Sequence, residues 1–63
     1  MLNGFLRRQS TEARVFFLRR YWYGESIREI AEDCHASEAK VKTSLFRTRE
    51  RLCAELEQEG IAL

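Results

Sequence analysis

Hydrophobic residues recur every three to four positions along most of the chain, which is the spacing of amphipathic helices. The first run of this kind consists of Val15, Phe16, Leu18 and Trp22. Ser10 or Thr11 precedes the run as a suitable N-cap, and Gly24 follows it as a suitable C′ residue. The pattern therefore predicts a helix over residues 11–23.

Two further helices are predicted after the first one. Ser26 and Glu29 have the spacing of a capping box, which begins a short helix that ends before a break at residues 34–36. Ser37 follows this break as a suitable N-cap of a long last helix that continues to Gly60.

The two ends of the chain add shorter signals. A Schellman ending at Gly60 predicts that Ile61 contacts Leu56. Asn3 is a suitable cap for a further short helix over residues 3–8. The chain is therefore expected to contain three or four helices.

The short helix, the break and the long helix have the spacing of a helix-turn-helix. When Ile27 is counted as position one, Ala31 falls at position five, where two steeply crossing helices need a small residue. Position nine of the motif requires a positive φ, and His35 occupies it. Because histidine is among the non-glycine residues enriched in this conformation, we expect a positive φ at His35.

The long helix has two different sides when its residues are placed at intervals of about 100°. Its buried side is predicted to consist of Val41, Leu45, Thr48, Leu52 and Leu56. The opposite side carries Ala39, Lys40, Thr43, Phe46 and Arg47, with Lys42 at its edge. These residue types suit a helix in the DNA major groove, where Arg binds guanine, Phe contacts thymine methyl groups and Lys binds phosphate. The alternative for Phe46 is packing against the first long helix.

Composition restricts the fold further. The chain has 63 residues, no proline, three glycines and 44% hydrophobic residues. We expect one small all-α domain, a three- to four-helix bundle containing a helix-turn-helix with a long C-terminal recognition helix. The longest apolar run is far shorter than the roughly 20 residues of a membrane span, and no signal peptide is recognisable. We therefore expect a cytoplasmic protein.

The net charge of +1 is unevenly distributed along the chain. Residues 1–24 and 39–51 each sum to +4, whereas residues 25–38 sum to −4 and residues 52–63 sum to −3. Two basic blocks around an acidic one indicate a local electrostatic footprint. The alternative is an ordinary solvated helix surface.

The residue types used in catalysis and metal binding are sparse. Cys34 and Cys53 lie nineteen positions apart, no CxxC pair is present, and His35 is the single histidine. We therefore expect no enzyme activity, no metal and no cofactor. Both thiols are expected to be reduced and buried or half-buried.

The ordered set of these features resembles region 4 of bacterial sigma factors, most closely the extracytoplasmic-function type. The resemblance covers residues 5–59, with Gly24-Glu25-Ser26-Ile27-Arg28-Glu29-Ile30-Ala31 and the pattern VKxxLFRxRxxL as its main carriers. It implies binding to the promoter −35 element in complex with core RNA polymerase. By position, the residues matching promoter contacts are Lys42, Thr43, Phe46 and Arg47, with Glu38, Ala39 and Lys40 at the start of the helix.

The sequence also departs from this family. Many relatives have Leu-Pro where this chain has Gln9-Ser10, and His35 replaces the glycine of the turn. The sigma-factor region that melts the −10 element is not recognisable in residues 1–63. The resemblance therefore implies one domain over residues 1–63, either the C-terminal part of a longer sigma factor or a solitary domain. We expect a monomer.

Two other interpretations stay open at this point. A LuxR-type or other stand-alone helix-turn-helix regulator shares the short helix and the turn. Its recognition helix is usually followed by a break, whereas the helical period here continues to Leu56. A protein-interaction module that keeps the fold without binding DNA is expected to lack the outward cations that this chain has.

Aromatic residues in the first third of the chain predict a second surface. Six side chains exceed what so small a core is expected to bury: Phe5, Leu6, Phe17, Tyr21, Trp22 and Tyr23. We expect them to form a partly exposed groove between residues 2–8 and the helix at 11–23. The family resemblance implies that this surface binds the β flap of the polymerase or a competing anti-sigma factor. The alternative is that these residues complete a minimal core.

Overall fold

Four helices follow one another along the chain in the computed structural model, which describes residues 2–58 and residue 60. They are α1 (Leu2–Arg7), α2 (Thr11–Tyr21), α3 (Ile27–Asp33) and α4 (Glu38–Gln58). The described residues contain no strand, so the predicted all-α fold is confirmed. The predicted contact of Ile61 lies outside the described residues.

The boundaries of α2 are set by a serine cap and a glycine turn. The Ala13 N–H donates to Ser10 Oγ at 3.1 Å, which confirms Ser10 as the N-cap. The chain leaves the helix through Gly24, whose φ is +69°, and the Glu25 N–H returns to the Arg19 carbonyl at 3.0 Å. Because Trp22 is the C-cap, Tyr23 is the C′ residue, and Gly24, predicted as C′, lies one position beyond it.

The helix α3 begins with the predicted capping box. The Glu29 N–H donates to Ser26 Oγ at 3.1 Å, and the Ser26 N–H donates to the Glu29 carboxylate at 3.0 Å. The two reciprocal bonds satisfy two amides that the start of a helix otherwise leaves without partners.

The turn after α3 is a Schellman ending with a histidine at its left-handed position. His35 has a φ of +54°, which confirms the predicted conformation. Its N–H bonds to the Glu32 carbonyl at 3.3 Å, and the Ala36 N–H bonds to the Ala31 carbonyl at 2.9 Å. The Lys40 N–H then donates to Ser37 Oγ at 3.0 Å, so Ser37 caps α4 as predicted.

One core joins all four helices. It consists of Phe5, Leu6, Phe16, Phe17, Ile30, Ala31, Val41 and Leu45. The helix α4 packs against both α2 and α3, so its buried side is the centre of the bundle. Thr48 is also fully buried, and its hydroxyl donates to the Ser44 carbonyl at 2.9 Å. Leu52 and Leu56 are half-buried, because the bundle thins towards the end of α4.

The short helix α1 corrects two sequence-based expectations. It begins at Leu2, so Asn3 lies within the helix and not at its N-cap. Phe5 and Leu6 are buried in the core and do not line an exposed surface. A chain of this size has little apolar surface to bury. The residues of α1 therefore contribute to the core instead of forming a separate exposed surface.

We predict that the capping box makes stability depend on pH through Glu29. The hydrogen bond from the Ser26 N–H holds the pKa of the Glu29 carboxyl below its ordinary value. A carboxyl whose pKa is lower in the folded state stabilises the fold at pH values above its ordinary pKa. This stabilisation is lost as the pH falls through the lowered pKa. Glu29→Gln should therefore lose less stability than the wild type between about pH 6 and about pH 3, measured by urea unfolding.

The matched control for this experiment is Glu57→Gln, which changes a carboxylate on the last turn of α4. It should keep the pH dependence of the wild type. Identical acid sensitivity in Glu29→Gln and the wild type would contradict the prediction.

Candidate nucleic-acid interface

The first three turns of α4 present one side to the core and the opposite side to solvent. Val41 and Leu45 are buried at 0% and 5% exposure, which fixes the rotation of the helix about its axis. All seven residues predicted to contact DNA are exposed on this segment: Glu38, Ala39, Lys40, Lys42, Thr43, Phe46 and Arg47. The structure thus brings the predicted set together on one accessible helix.

Phe46 is the most informative member of this set. Its side chain is 63% exposed, so the alternative that it packs against α2 at the edge of the core is wrong. The ring lies on a segment of α4 that also carries Lys42 and Arg47, and it shares a shallow surface with Arg49 and Glu50. So large an exposed apolar ring has no role in the packing of this bundle. Such a ring suits a partner that offers both apolar and anionic groups, as the major groove does with thymine methyl groups and phosphates.

The cations of this helix differ in their surroundings. Lys40 Nζ lies 3.1 Å from a Glu12 carboxylate oxygen on the first turn of α2, and both side chains are about half exposed. Among the described residues, Lys42 and Arg47 form no ion pair with a carboxylate. Lys40 is therefore partly neutralised in the unbound protein, whereas the charges of Lys42 and Arg47 are available to a ligand.

A polar cleft lies between the start of α2 and α4. It is lined by Ser10, Glu12, Ala13, Ala39, Lys40, Thr43, Ser44, Arg47, Thr48 and Arg51. Sequence reasoning did not include Arg51 in the site. A signal was present, because Arg51 lies four residues after Arg47 and therefore on the same side of the helix.

Arg19 connects α2 to both ends of α3. Its guanidinium contacts the Glu25 carboxylate at 2.8 Å, pairs with Asp33 and lies 3.7 Å from Cys34 Sγ. The hydrogen bonds to Glu25 and Asp33 raise the pKa of Arg19, so the guanidinium keeps its positive charge. One side chain thus holds α2 against the loop before α3 and the last residue of α3.

An apolar groove is present, but it lies elsewhere than predicted. It runs between the end of α2 and the second half of α4, lined by Phe17, Leu18, Tyr21, Trp22, Arg49, Leu52 and Cys53. The groove predicted between α1 and α2 is wrong, because Phe5 and Leu6 are buried. Tyr21 and Trp22 are exposed as expected, at 50% and 74%. Phe17 was also expected to be partly exposed, but it is buried in the core at 8% exposure, where it packs against Tyr21 with ring centroids 4.9 Å apart.

The two cysteines have different environments. Both are free thiols, and Cys34 is half-buried as predicted. Cys53 is exposed, which corrects the expectation that it would be buried or half-buried. Its position at the edge of α4 lies beyond the reach of the core, which thins towards this end. No group of three potential metal-ligating side chains occurs among the described residues.

The fold and the exposed side of α4 define a helix-turn-helix domain of the DNA-binding class. A scan against protein-family models matches residues 10–52 to Sigma-70, region 4, and the chain belongs to this family. The family is a non-catalytic DNA-binding domain of sigma factors, which act in transcription initiation with RNA polymerase. Searches of the curated proteins and of the solved structures gave no significant match. Across the described part of the chain, no helix has the length and apolarity to cross a membrane.

We predict that Arg19→Lys loosens the helix-turn-helix. Lysine keeps the charge, but a single ammonium group lacks the planar fork that contacts two carboxylates at once. The variant should unfold at a lower urea concentration, and the amides of α3 should exchange hydrogen faster. Arg28→Lys is the matched control, because Arg28 pairs with Glu32 on the exposed side of α3. Equal effects of the two substitutions would argue against a special role for Arg19.

Proposed function

We propose that this domain binds the promoter −35 element through the first three turns of α4, as part of a sigma factor of the extracytoplasmic-function type. The observation that carries the proposal is the exposed Phe46 ring on the side of α4 opposite the core, on a helix segment that also exposes Lys42 and Arg47. The unbroken helix from Glu38 to Gln58 favours this function over that of a LuxR-type regulator. Retention of the outward cations favours it over a protein-interaction module without DNA binding.

The residue types suggest that different residues of the recognition helix make different contacts with the DNA. Arg47 suits a bidentate contact with guanine, and Thr43 suits a hydrogen bond to a base edge. Phe46 suits a thymine methyl group, while Lys40 and Lys42 suit phosphates on either side of the groove. Glu38 and Ala39 lie at the start of the helix, where a small residue allows close approach to the bases and a carboxylate accepts from cytosine.

Core RNA polymerase is the proposed protein partner, in a longer sigma factor of which residues 1–63 form one domain. The apolar groove between α2 and α4 is the proposed docking surface for the β flap or an anti-sigma factor. Tyr21 and Trp22 keep the docking role that the family resemblance gives them, and the buried Phe17 lines the groove beneath them. Phe5 and Leu6 act only through the core. A helix that inserts apolar side chains into such a groove is a common form of protein recognition. The domain itself is proposed to be monomeric.

We predict sequence-specific DNA binding that depends on Phe46 and Arg47. A preferred duplex is first selected from a randomised pool with the wild-type protein. Arg47→Ala and Phe46→Ala should each weaken binding to that duplex by about 1–3 kcal/mol and reduce discrimination at one position, measured by fluorescence anisotropy. Release of three to four counterions should give the wild type a log–log salt slope of about −3.

The control for this experiment is Arg7→Ala, which removes a cation from α1 and should leave affinity and sequence preference unchanged. Tight binding without dependence on salt, or equal affinity for all duplexes, would contradict the proposal.

We predict that the apolar groove binds a β-flap peptide through Trp22. Trp22→Ala should weaken the peptide complex by at least about 1 kcal/mol, because buried aromatic anchors dominate such interfaces. Tyr23→Ala is the matched control, since Tyr23 is similarly exposed but does not line the groove. The single tryptophan also reports docking directly through its fluorescence. Peptide-induced chemical-shift changes confined to the first turns of α4 would contradict the location.

A further inference from the structure

We propose that Arg51 contacts a phosphate of the bound DNA and that Gln9 positions it for this contact. Both residues lie outside the set that the sequence pattern assigns to DNA. The inference rests on the proposed DNA-binding function and extends the interface beyond the first three turns of α4.

The position of Arg51 continues the line of cations on α4. Lys40, Arg47 and Arg51 all line the polar cleft between α2 and α4. Arg51 lies one turn beyond Arg47, about 6 Å further along the helix axis. In helix-turn-helix proteins the N-terminal residues of the recognition helix contact base edges, and the later turns of such a helix can contact the DNA backbone. Arg51 is therefore positioned to contact the DNA phosphate backbone and not the bases.

The Gln9 amide is fixed between α1 and Arg51. Gln9 Nε2 donates to the Phe5 carbonyl at 3.2 Å, so the amide oxygen is turned towards α4. That oxygen accepts a hydrogen bond from Arg51 Nη1 at 3.1 Å. A guanidinium has five N–H donors, so this bond leaves donors for a phosphate. The Arg51 side chain is thus held in the unbound protein, which lowers the entropy that binding must remove.

A neutral acceptor holds Arg51, whereas most of the other held cations of the described chain pair with carboxylates. Arg20 also bonds a neutral group, the Glu25 carbonyl at 3.1 Å, but it does not line the polar cleft. Lys40, Arg8, Arg19 and Arg28 each pair with a carboxylate. A carboxylate orients a cation but also cancels its charge, whereas the amide of Gln9 orients Arg51 and leaves the charge intact. Since Glu12 offsets Lys40, Arg47 and Arg51 supply the net positive charge of the cleft. An oriented cation with an uncompensated charge suits an anionic ligand.

The first test compares Arg51→Gln with the wild type on the selected duplex. Loss of one phosphate contact should weaken binding about 8-fold at about 0.1 M salt and reduce the salt slope by about one, with the sequence preference unchanged. Arg51→Lys should retain most of the slope. Gln9→Glu loses the bond to the Phe5 carbonyl but keeps an acceptor for Arg51 and pairs Arg51 with a negative charge, so it should weaken DNA binding as Arg51→Gln does. Gln9→Ala, which removes the acceptor without adding a charge, should weaken binding less. Gln9→Glu should add little to the loss in an Arg51→Gln background.

The second test locates the phosphate with duplexes that carry one neutral methylphosphonate at successive positions. One position should weaken binding by the wild type and leave binding by Arg51→Gln unchanged. Urea unfolding confirms that each variant is folded. An unchanged affinity and salt slope in Arg51→Gln, together with sequence-specific binding by the wild type, would overturn the role of Arg51 but not the proposed function. Failure of the wild type to bind any duplex would overturn both this inference and the proposed function.

Discussion

Burial of one side of α4 is the interaction on which the rest of the structure depends. Val41, Leu45 and Thr48 are almost completely removed from solvent, and α2 and α3 pack around them. A fully buried valine or leucine contributes about 1.5–3 kcal/mol, which is a large share of the stability of so short a chain. Because a helix is rigid, the same contacts that stabilise the bundle determine which side chains of α4 face outward. Packing and recognition are therefore two consequences of one helix orientation.

The remaining interactions keep that orientation precise in a domain with little core. Ser10, Ser26 and Ser37 cap three helices, and His35 closes the turn between α3 and α4. Arg19 holds α2 against the loop before α3 and against the end of α3. A helix-turn-helix that reads bases must hold its recognition residues within a fraction of an ångström, and supporting contacts of this kind serve that need.

The features that follow from local rules were predictable from the sequence, whereas those that depend on three-dimensional packing were not. The serine caps of α2, α3 and α4, the turn at His35 and the two sides of α4 each depend on residues a few positions apart. The cap at Asn3, also predicted from local sequence, was wrong because α1 begins at Leu2. The burial of Phe5 and Leu6 depends on where α1 folds back, and no periodic signal in six residues reports that. Likewise, the bond between Gln9 and Arg51 joins residues 42 positions apart, so only the folded chain shows it.

The central claim is that the outward side of α4 lies against DNA bases, and Phe46 tests it most directly. The measurement is an intermolecular nuclear Overhauser spectrum of the complex between the protein and its selected duplex. We predict contacts between the Phe46 ring protons and a thymine methyl group, because the ring is exposed on the side opposite the core. A Phe46 ring that shows no contact with DNA and keeps its unbound chemical shifts in a saturated complex would contradict the account.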